Sequence, residues 1–335
     1  MVNLFGHFNL PHDFLTSFLK SQFTPLPYPT TDFSSQTVII TGANTGLGLE
    51  AARHFVRLNA ARVILGCRSL AKGENAKKEI EESTKRENVV EVWQVDLGSF
   101  ESVKKFCAQV NTLDRLDVVV ENAGIATPVF EKLEGYESTI TVNVISTFLM
   151  ALLLLPKLRE QGLKLGKIPH LVIVASDAHN QATFKEQSAP SIFETFRSPS
   201  KTQGDRYNVS KLFDIFAVRE LGPAMDSSGK PKVILNTLTP GFCYSELMRH
   251  AKFPLNLLGW VGKLLIGRST EVGSRTFLAA AVAGQESHGA YMTDCKVSEP
   301  SRWVRSEKGE KAQKKVYKEL LGVLEGIEPG ITQNI

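Results

Sequence analysis

Apolar residues recur along this chain in two alternating rhythms. Short runs rich in β-branched residues, Thr37–Thr41, Arg62–Gly66, Val89–Gln94, Asp117–Val120, His170–Ala175, Lys232–Leu238 and Gly289–Met292, have the length and composition of buried strands. Between them, longer segments with apolar positions every three or four residues predict helices beginning near Gly46, Leu70, Phe100, Tyr136, Gly204 and Thr270. Several are introduced by Ser, Thr or Gly, as helix caps are. Such alternation marks parallel strands joined by crossover helices, so the fold class is α/β, a doubly wound, seven-stranded parallel sheet flanked by helices. Two stretches break the rhythm. Met1–Gln36 is rich in Phe and Pro and contains a short amphipathic helix, His12–Gln22, with Phe14, Leu15, Phe18 and Leu19 on one face. That face needs a cover: docking on the main core is favoured over a membrane-surface or lid role. Asp177–Asp205, with Pro190, Ser198, Pro199 and Ser200, reads as a loop, and Glu307–Glu325 as a charged, solvated C-terminal helix.

Composition narrows the functional classes. Of 335 residues, 42% are hydrophobic and 22% charged, which suits a chain that buries a core and not a disordered or fibrous one. The formal net charge is +4, from 39 basic and 35 acidic residues, and no block of like charge resembles a nucleic-acid-binding arm. No nucleic-acid partner is expected. Cys67, Cys107, Cys243 and Cys295 lie far apart with no CxxC pair, so neither a metal site nor a disulfide framework is expected and a reducing compartment fits. The longest apolar run, Phe148–Leu155, is far short of the ~20 residues that span a bilayer. No Lys or Arg precedes Lys20, unlike the basic start of a signal or transit peptide. A cytoplasmic protein is the expectation.

The first candidate chemistry follows the first strand. Thr41-Gly42-Ala43-Asn44-Thr45-Gly46-Leu47-Gly48 leads into an apolar helix containing Leu49, Ala52, Phe55 and Val56. Gly42 permits a tight turn, Gly46 lets the backbone approach a pyrophosphate, and Gly48 allows close helix–strand packing while the helix N-terminus faces the anion. The strand and helix flanks separate this string from a merely structural glycine turn and predict a dinucleotide site. At the end of the second strand, Arg68 stands where an NAD-selective protein offers a carboxylate to the ribose. A guanidinium there would hold a 2′-phosphate through charge-assisted hydrogen bonds worth roughly 1.5–3 kcal/mol each. NADP(H) is therefore the expected cofactor, with a solvated loop cation as the alternative for Arg68; Ser69 and Lys72 lie nearby.

The second is Tyr207-Asn208-Val209-Ser210-Lys211, the one YxxxK in the sequence, which puts a phenol and an ammonium on one helix face. A phenol ordinarily titrates near pH ~10; lowering that by ~3 units takes about 4 kcal/mol, which Lys211 and an oxidised nicotinamide together could supply.

The spacing TGxxxGxG, together with this YxxxK, resembles the short-chain dehydrogenase/reductase superfamily, over about Ser35–Arg302. The resemblance implies a single Rossmann-type domain over 37–302, with substrate loops 177–205 and 242–269, an extension 1–36 and a helical tail 303–335. It implies that Asp96-Leu97 contacts adenine, that Asn122-Ala123-Gly124 lines the cofactor, and that Pro240-Gly241 and Ser245 lie beside the nicotinamide. It makes Ser176 the hydroxyl that binds the substrate oxygen, Tyr207 the proton donor, Lys211 a holder of the nicotinamide ribose, and Asn143 the support of a water-linked proton path. Glu121 replaces the superfamily's usual Asn, and the 31 positions from Ser176 to Tyr207 exceed the usual spacing. Closest are retinol-dehydrogenase-like members, through Cys67-Arg68 with Lys72-Gly73-Glu74, Ser176 followed by Ala178-His179, and Tyr291 with Asp294-Cys295-Lys296; His179 is expected to support a loop and Cys295 to be buried. The aromatic extension and long loop are also similar in type to fungal reductases that tailor polyketides or terpenoids.

The implied activity is NADP(H)-dependent interconversion of a ketone or aldehyde with an alcohol on a bulky hydrophobic small molecule. Leu255, Leu257, Leu258, Trp260 and Leu264 of Phe253–Ile266 would roof the pocket, unless they are ordinary core. Two other readings stand: a cofactor-binding scaffold for non-redox isomerisation, cyclisation or regulation, and a membrane-associated retinoid or lipid dehydrogenase. The apolar helix Leu149–Leu155 resembles the superfamily's dimerisation face, so a homodimer is a further expectation.

Overall fold

The computed structural model describes residues 12–244 and 266–335, with side chains from residue 16 onward. In chain order its main elements are α1 (His12–Gln22), β1 (Thr37–Thr41), α2 (Gly46–Arg57), β2 (Arg62–Cys67), α3 (Leu70–Thr84), β3 (Val90–Gln94), α4 (Phe100–Asn111), β4 (Val118–Glu121), β5 (Lys132–Leu133), β6 (Tyr136–Glu137), α5 (Ser138–Ile140), α6 (Ser146–Leu165), β7 (His170–Val174), α7 (Ile192–Thr195), α8 (Arg206–Ser227), β8 (Ile234–Leu238), α9 (Thr270–Ala280), β9 (Tyr291–Thr293), β10 (Lys296–Ser298) and α10 (Glu307–Ile327).

Within the described residues the central sheet runs β10-β9-β8-β7-β4-β1-β2-β3. Seven strands are parallel, as expected, and β10 adds an antiparallel edge through the Asp294-Cys295 turn, where both residues take positive φ. The short β5–β6 hairpin turns at Glu134-Gly135, so the helix expected from Tyr136 starts instead at Ser138. Alternation along each strand supplies two layers. Ile39, Ile64, Val119, Leu171 and Ile173 face α4, α6, α8 and α10, whereas Val38, Ile40, Val63, Val120 and Val172 face α2, α3 and α9. Strand order reverses between β1 and β4, and the carboxyl ends of the strands converge there, the usual crevice of an open α/β sheet.

Two additions wrap this scaffold. The 177–205 segment is folded rather than open: Phe184, Ile192, Phe193 and Phe196 are buried against Phe213 and Phe216 of α8. The tail after α10 lies on α6. Pro156 inside α6 leaves the Leu152 carbonyl without its helical donor, and Asn334 Nδ2 donates to that oxygen at 3.1 Å. By length and composition alone the helix Ser138–Leu165 could cross a membrane, but its apolar window is 94% buried in the protein. Leu149–Leu152, Leu154 and Leu155 are among these enclosed residues.

At the other end of the chain, α1 docks on the loop after β8. The Gln22 amide donates to the carbonyls of Phe242 and Ile266 and accepts from the Phe242 N–H, while Ser21 donates to Asp294. Phe18 and Leu19 are half-buried; the side chains of Phe14 and Leu15, and residues 245–265 with Ser245 and most of the expected pocket roof, lie outside the described residues.

Candidate active site

The glycine turn has the geometry its sequence implies. Gly42 has φ +67, and a Cβ there would meet Ala123 Cα at 2.9 Å; a Cβ on Gly48 would sit 2.6 Å from Asn122 Nδ2. Gly46 has φ +61 and open space where a Cβ would go. Thr45, the N-cap of α2, makes no side-chain capping bond, so the first-turn amides are left for an outside acceptor. Asn44 and Leu47 flank this opening half-buried, Leu47 packing toward α9 at Gly273.

Asn122 holds the turn rather than standing free. Its amide donates to the Thr41 carbonyl at 2.8 Å, and the Asn122 and Ala123 N–H groups both donate to Thr41 Oγ1 at 3.0 Å. Asp96 caps its own turn, accepting from Gly98 N at 2.9 Å, and Leu97 is buried with its carbonyl accepting from Ser146. Arg68 is exposed just past β2, next to the N-terminus of α3, and makes no hydrogen bond or ion pair among the described residues. An open turn, uncapped amides and an unengaged guanidinium are the donor set that a phosphorylated dinucleotide requires.

Of the four expected catalytic side chains, Ser176, Tyr207 and Lys211 meet, while Asn143 reaches α8 through Ser210. Ser176 leaves β7 in extended backbone and Tyr207 opens α8 one position after its start. Burial pushes the Tyr207 phenol above its ordinary value, while the Lys211 ammonium and the Ser176 hydroxyl pull against that rise. Lys211 thus acts in the direction expected from sequence and burial opposes it; the expected acidification also draws on an oxidised nicotinamide. Lys211 Nζ donates to Val174 O at 2.7 Å and to Asp214 Oδ2 at 2.9 Å. Burial works against its charge, yet Asp214 and Tyr207 outweigh burial and hold the ammonium above its ordinary value. An ammonium has three donors, so one remains for the cofactor side.

Asn143 lies in a π-helical turn, Thr141–Ile145, between α5 and α6, a distortion that recurs at functional sites. Its amide exchanges bonds with the Ile125 backbone at 2.8 and 2.9 Å and donates to Ser210 Oγ at 2.9 Å. Ser210 donates in turn to the Tyr207 carbonyl at 2.7 Å. Asn143 therefore ties the Asn122–Ile125 loop to the first turn of α8. Gly124 packs against it, and Pro240-Gly241 follows β8, with Gly241 at φ +78.

His179 supports a loop as expected, and the Tyr291–Asp177 and Arg206–Glu186 contacts were not read from sequence. His179 Nδ1 donates to the Ser176 carbonyl at 2.8 Å while its Nε2 accepts from Ser301 N at 3.2 Å, and burial lowers its pKa to about 4, so the ring is neutral. Tyr291 donates to Asp177 at 2.8 Å beside it. Arg206 and Glu186 form a buried ion pair at 2.7 Å that fastens the 177–205 segment next to Tyr207. Cys295, expected to be buried, is half-exposed in the β9–β10 turn. A separate cavity of about 480 Å³, lined by Phe100, Tyr136, Phe193, Glu319 and Val323, contains none of the four expected catalytic residues.

Comparison with known proteins agrees with this geometry. A short chain dehydrogenase family profile matches residues 36–187. The chain is 45% identical over 325 residues to the short chain dehydrogenase/reductase dmxR8 of Cryptosporiopsis sp., covering 95% of this chain and 99% of that protein. It is 46% identical over 291 residues to the short chain dehydrogenase atnD of Emericella nidulans, covering 85% and 92%. Among solved structures, a carbonyl reductase from chicken fatty liver with NADPH bound superposes with a TM-score of 0.58 at 19% identity, covering 79% of this chain and 99% of that one, a likeness of fold. This chain belongs to the short-chain dehydrogenase/reductase family.

Proposed function

We propose that the protein uses NADP(H) to interconvert a ketone or aldehyde with an alcohol on a bulky apolar small molecule, with Tyr207 as the general acid in reduction. The observation that supports this reading is the meeting of three groups: the Tyr207 phenol is acted on by both the Ser176 hydroxyl and the Lys211 ammonium, which is tied to the Val174 carbonyl at the end of β7. The cradle of Gly42, Asn44, Thr45, Gly46, Leu47 and Gly48 would hold the pyrophosphate, and Arg68 a 2′-phosphate. When bound, NADPH would supply a hydride from its nicotinamide.

Ser176 would donate a hydrogen bond to the substrate oxygen and orient it toward Tyr207. The phenol, kept protonated by burial, would transfer its proton to that oxygen as negative charge develops. Lys211 would then stabilise the phenolate until it is reprotonated. A neutral phenol suits the reductive half of the cycle, in which no nicotinamide cation is present at the outset. The relatives from Cryptosporiopsis sp. and Emericella nidulans, named as short chain dehydrogenases, support the redox class of this reaction.

Tyr207→Phe tests the assignment. NADPH affinity, followed by fluorescence, is expected to stay close to wild type while NADPH oxidation with a panel of bulky ketones falls by on the order of 100-fold or more. Retained turnover would remove Tyr207 as the proton donor.

A further inference from the structure

Beyond Ser176, Tyr207 and Lys211 lies a buried acid pair that the reaction above does not use. Glu121 ends β4 on the sheet face of Val119, toward α4 and α8; it is 4% exposed, and Asp214, one turn beyond Lys211, is 0% exposed. Asp214 Oδ2 accepts from Lys211, but Asp214 Oδ1 and Glu121 Oε1 have no hydrogen-bond partner. The other titratable groups bearing on this cluster are Cys107 on α4, Tyr207 on α8 and, through Tyr207, Asp177 after β7. Burial holds the Cys107 thiol neutral, and among the described residues Lys211 is the cation bonded to this cluster. Ionising both would leave an uncompensated buried negative charge, which costs more than keeping one of them protonated. Asp214 holds the ammonium, and Glu121 is pushed well above the carboxylate range, first by burial and then by Asp214. A neutral Glu121 is a donor without an acceptor; Asp214 Oδ1 is an acceptor without a donor.

We propose that Glu121 is a carboxylic acid at neutral pH, linked to Asp214 Oδ1 through one water, and that the pair is a positioning device keeping Lys211 charged and aimed toward Tyr207. Two of the three ammonium protons are then fixed by Val174 and Asp214, and the third is presented to the cofactor side.

Infrared spectroscopy of the full chain tests the proton without turnover. At neutral pH the wild-type protein should show a carboxylic acid C=O stretch that shifts in heavy water, is missing in Glu121→Gln and is displaced in Asp214→Asn. Kinetics test the positioning role, and this arm alone rests on the carbonyl-reduction reading. Asp214→Asn should lower kcat about tenfold with KM changed by less than about twofold. Its alkaline limb should move to lower pH, because the ammonium has lost the carboxylate that raised its pKa. Asp214→Glu should restore part of the loss. A wild-type spectrum without the band, or a band surviving in Glu121→Gln, overturns the proton assignment even if Asp214→Asn fails to fold. A wild-type pH profile in Asp214→Asn overturns the positioning role. Loss of the reduction reading would leave the infrared result standing.

Discussion

On the proposed function, Arg68 would carry the cofactor discrimination in a single side chain. It is exposed and unengaged among the described residues, at the strand end where a dinucleotide's adenosine ribose would lie. Arg68→Asp is expected to weaken NADPH binding about tenfold to a hundredfold, one charge-assisted hydrogen bond or a little more, and to raise relative affinity for NADH. Titration of both cofactors checks it; unchanged NADPH affinity would make Arg68 a bystander. At this scale, the residues legible from sequence are those whose role follows from their own chemistry. Gly42 and Gly48 announce themselves because any side chain would strike Ala123 or Asn122. Asp214 does not, because its meaning depends on Glu121, which lies far away in sequence. The Tyr207 phenol is legible only in part for a related reason: its cationic neighbour is readable from spacing, whereas the desolvation that opposes it exists only in the folded protein.

Elements with a sustained period were the readable ones. α2, α3, α4 and α9 begin at their expected residues, since each carries an apolar stripe or a Ser/Thr cap. The β5–β6 hairpin, β10 and the short helices between Ser176 and Tyr207 were not readable, because two to five residues cannot establish a period. Their stability comes from tertiary partners such as the buried Phe184–Phe213 contact. His179 shows one such junction, joining the end of β7 to the segment before α10. Its pKa falls from 6.5 to about 4 on folding, first through burial. The unfolded chain therefore binds more protons between these values, so the His179 contribution is intact above about pH 6.5 and is lost as pH falls toward 4. The loss amounts to roughly 3 kcal/mol at most. His179→Gln should flatten the acid side of the stability curve measured by urea unfolding; an identical slope in both proteins would show that the ring does not stay neutral in the fold.

At the scale of the whole molecule, the chain encloses its own central helices. The Leu149–Leu155 stretch, expected from sequence to face a second subunit, is buried beneath the chain itself, with Asn334 bonded to the Leu152 carbonyl and α10 packed along α8. Pairing through that stretch would first require the tail to leave. The sequence showed an apolar face but not which partner covers it, because a distant segment and a second copy satisfy the same hydrophobic demand. The docked α1 and the folded 177–205 segment frame the same end of the sheet, where Ser176, Tyr207 and Lys211 meet. The proposed reaction transfers hydride at this end to a carbonyl carbon and does not rearrange a substrate without redox change. Its most direct measurement follows deuterium from NADPH dideuterated at nicotinamide C4 into the product of a bulky apolar ketone. The account predicts one deuterium on the carbinol carbon for each NADPH oxidised; a converted product without label and without NADPH consumption would contradict it.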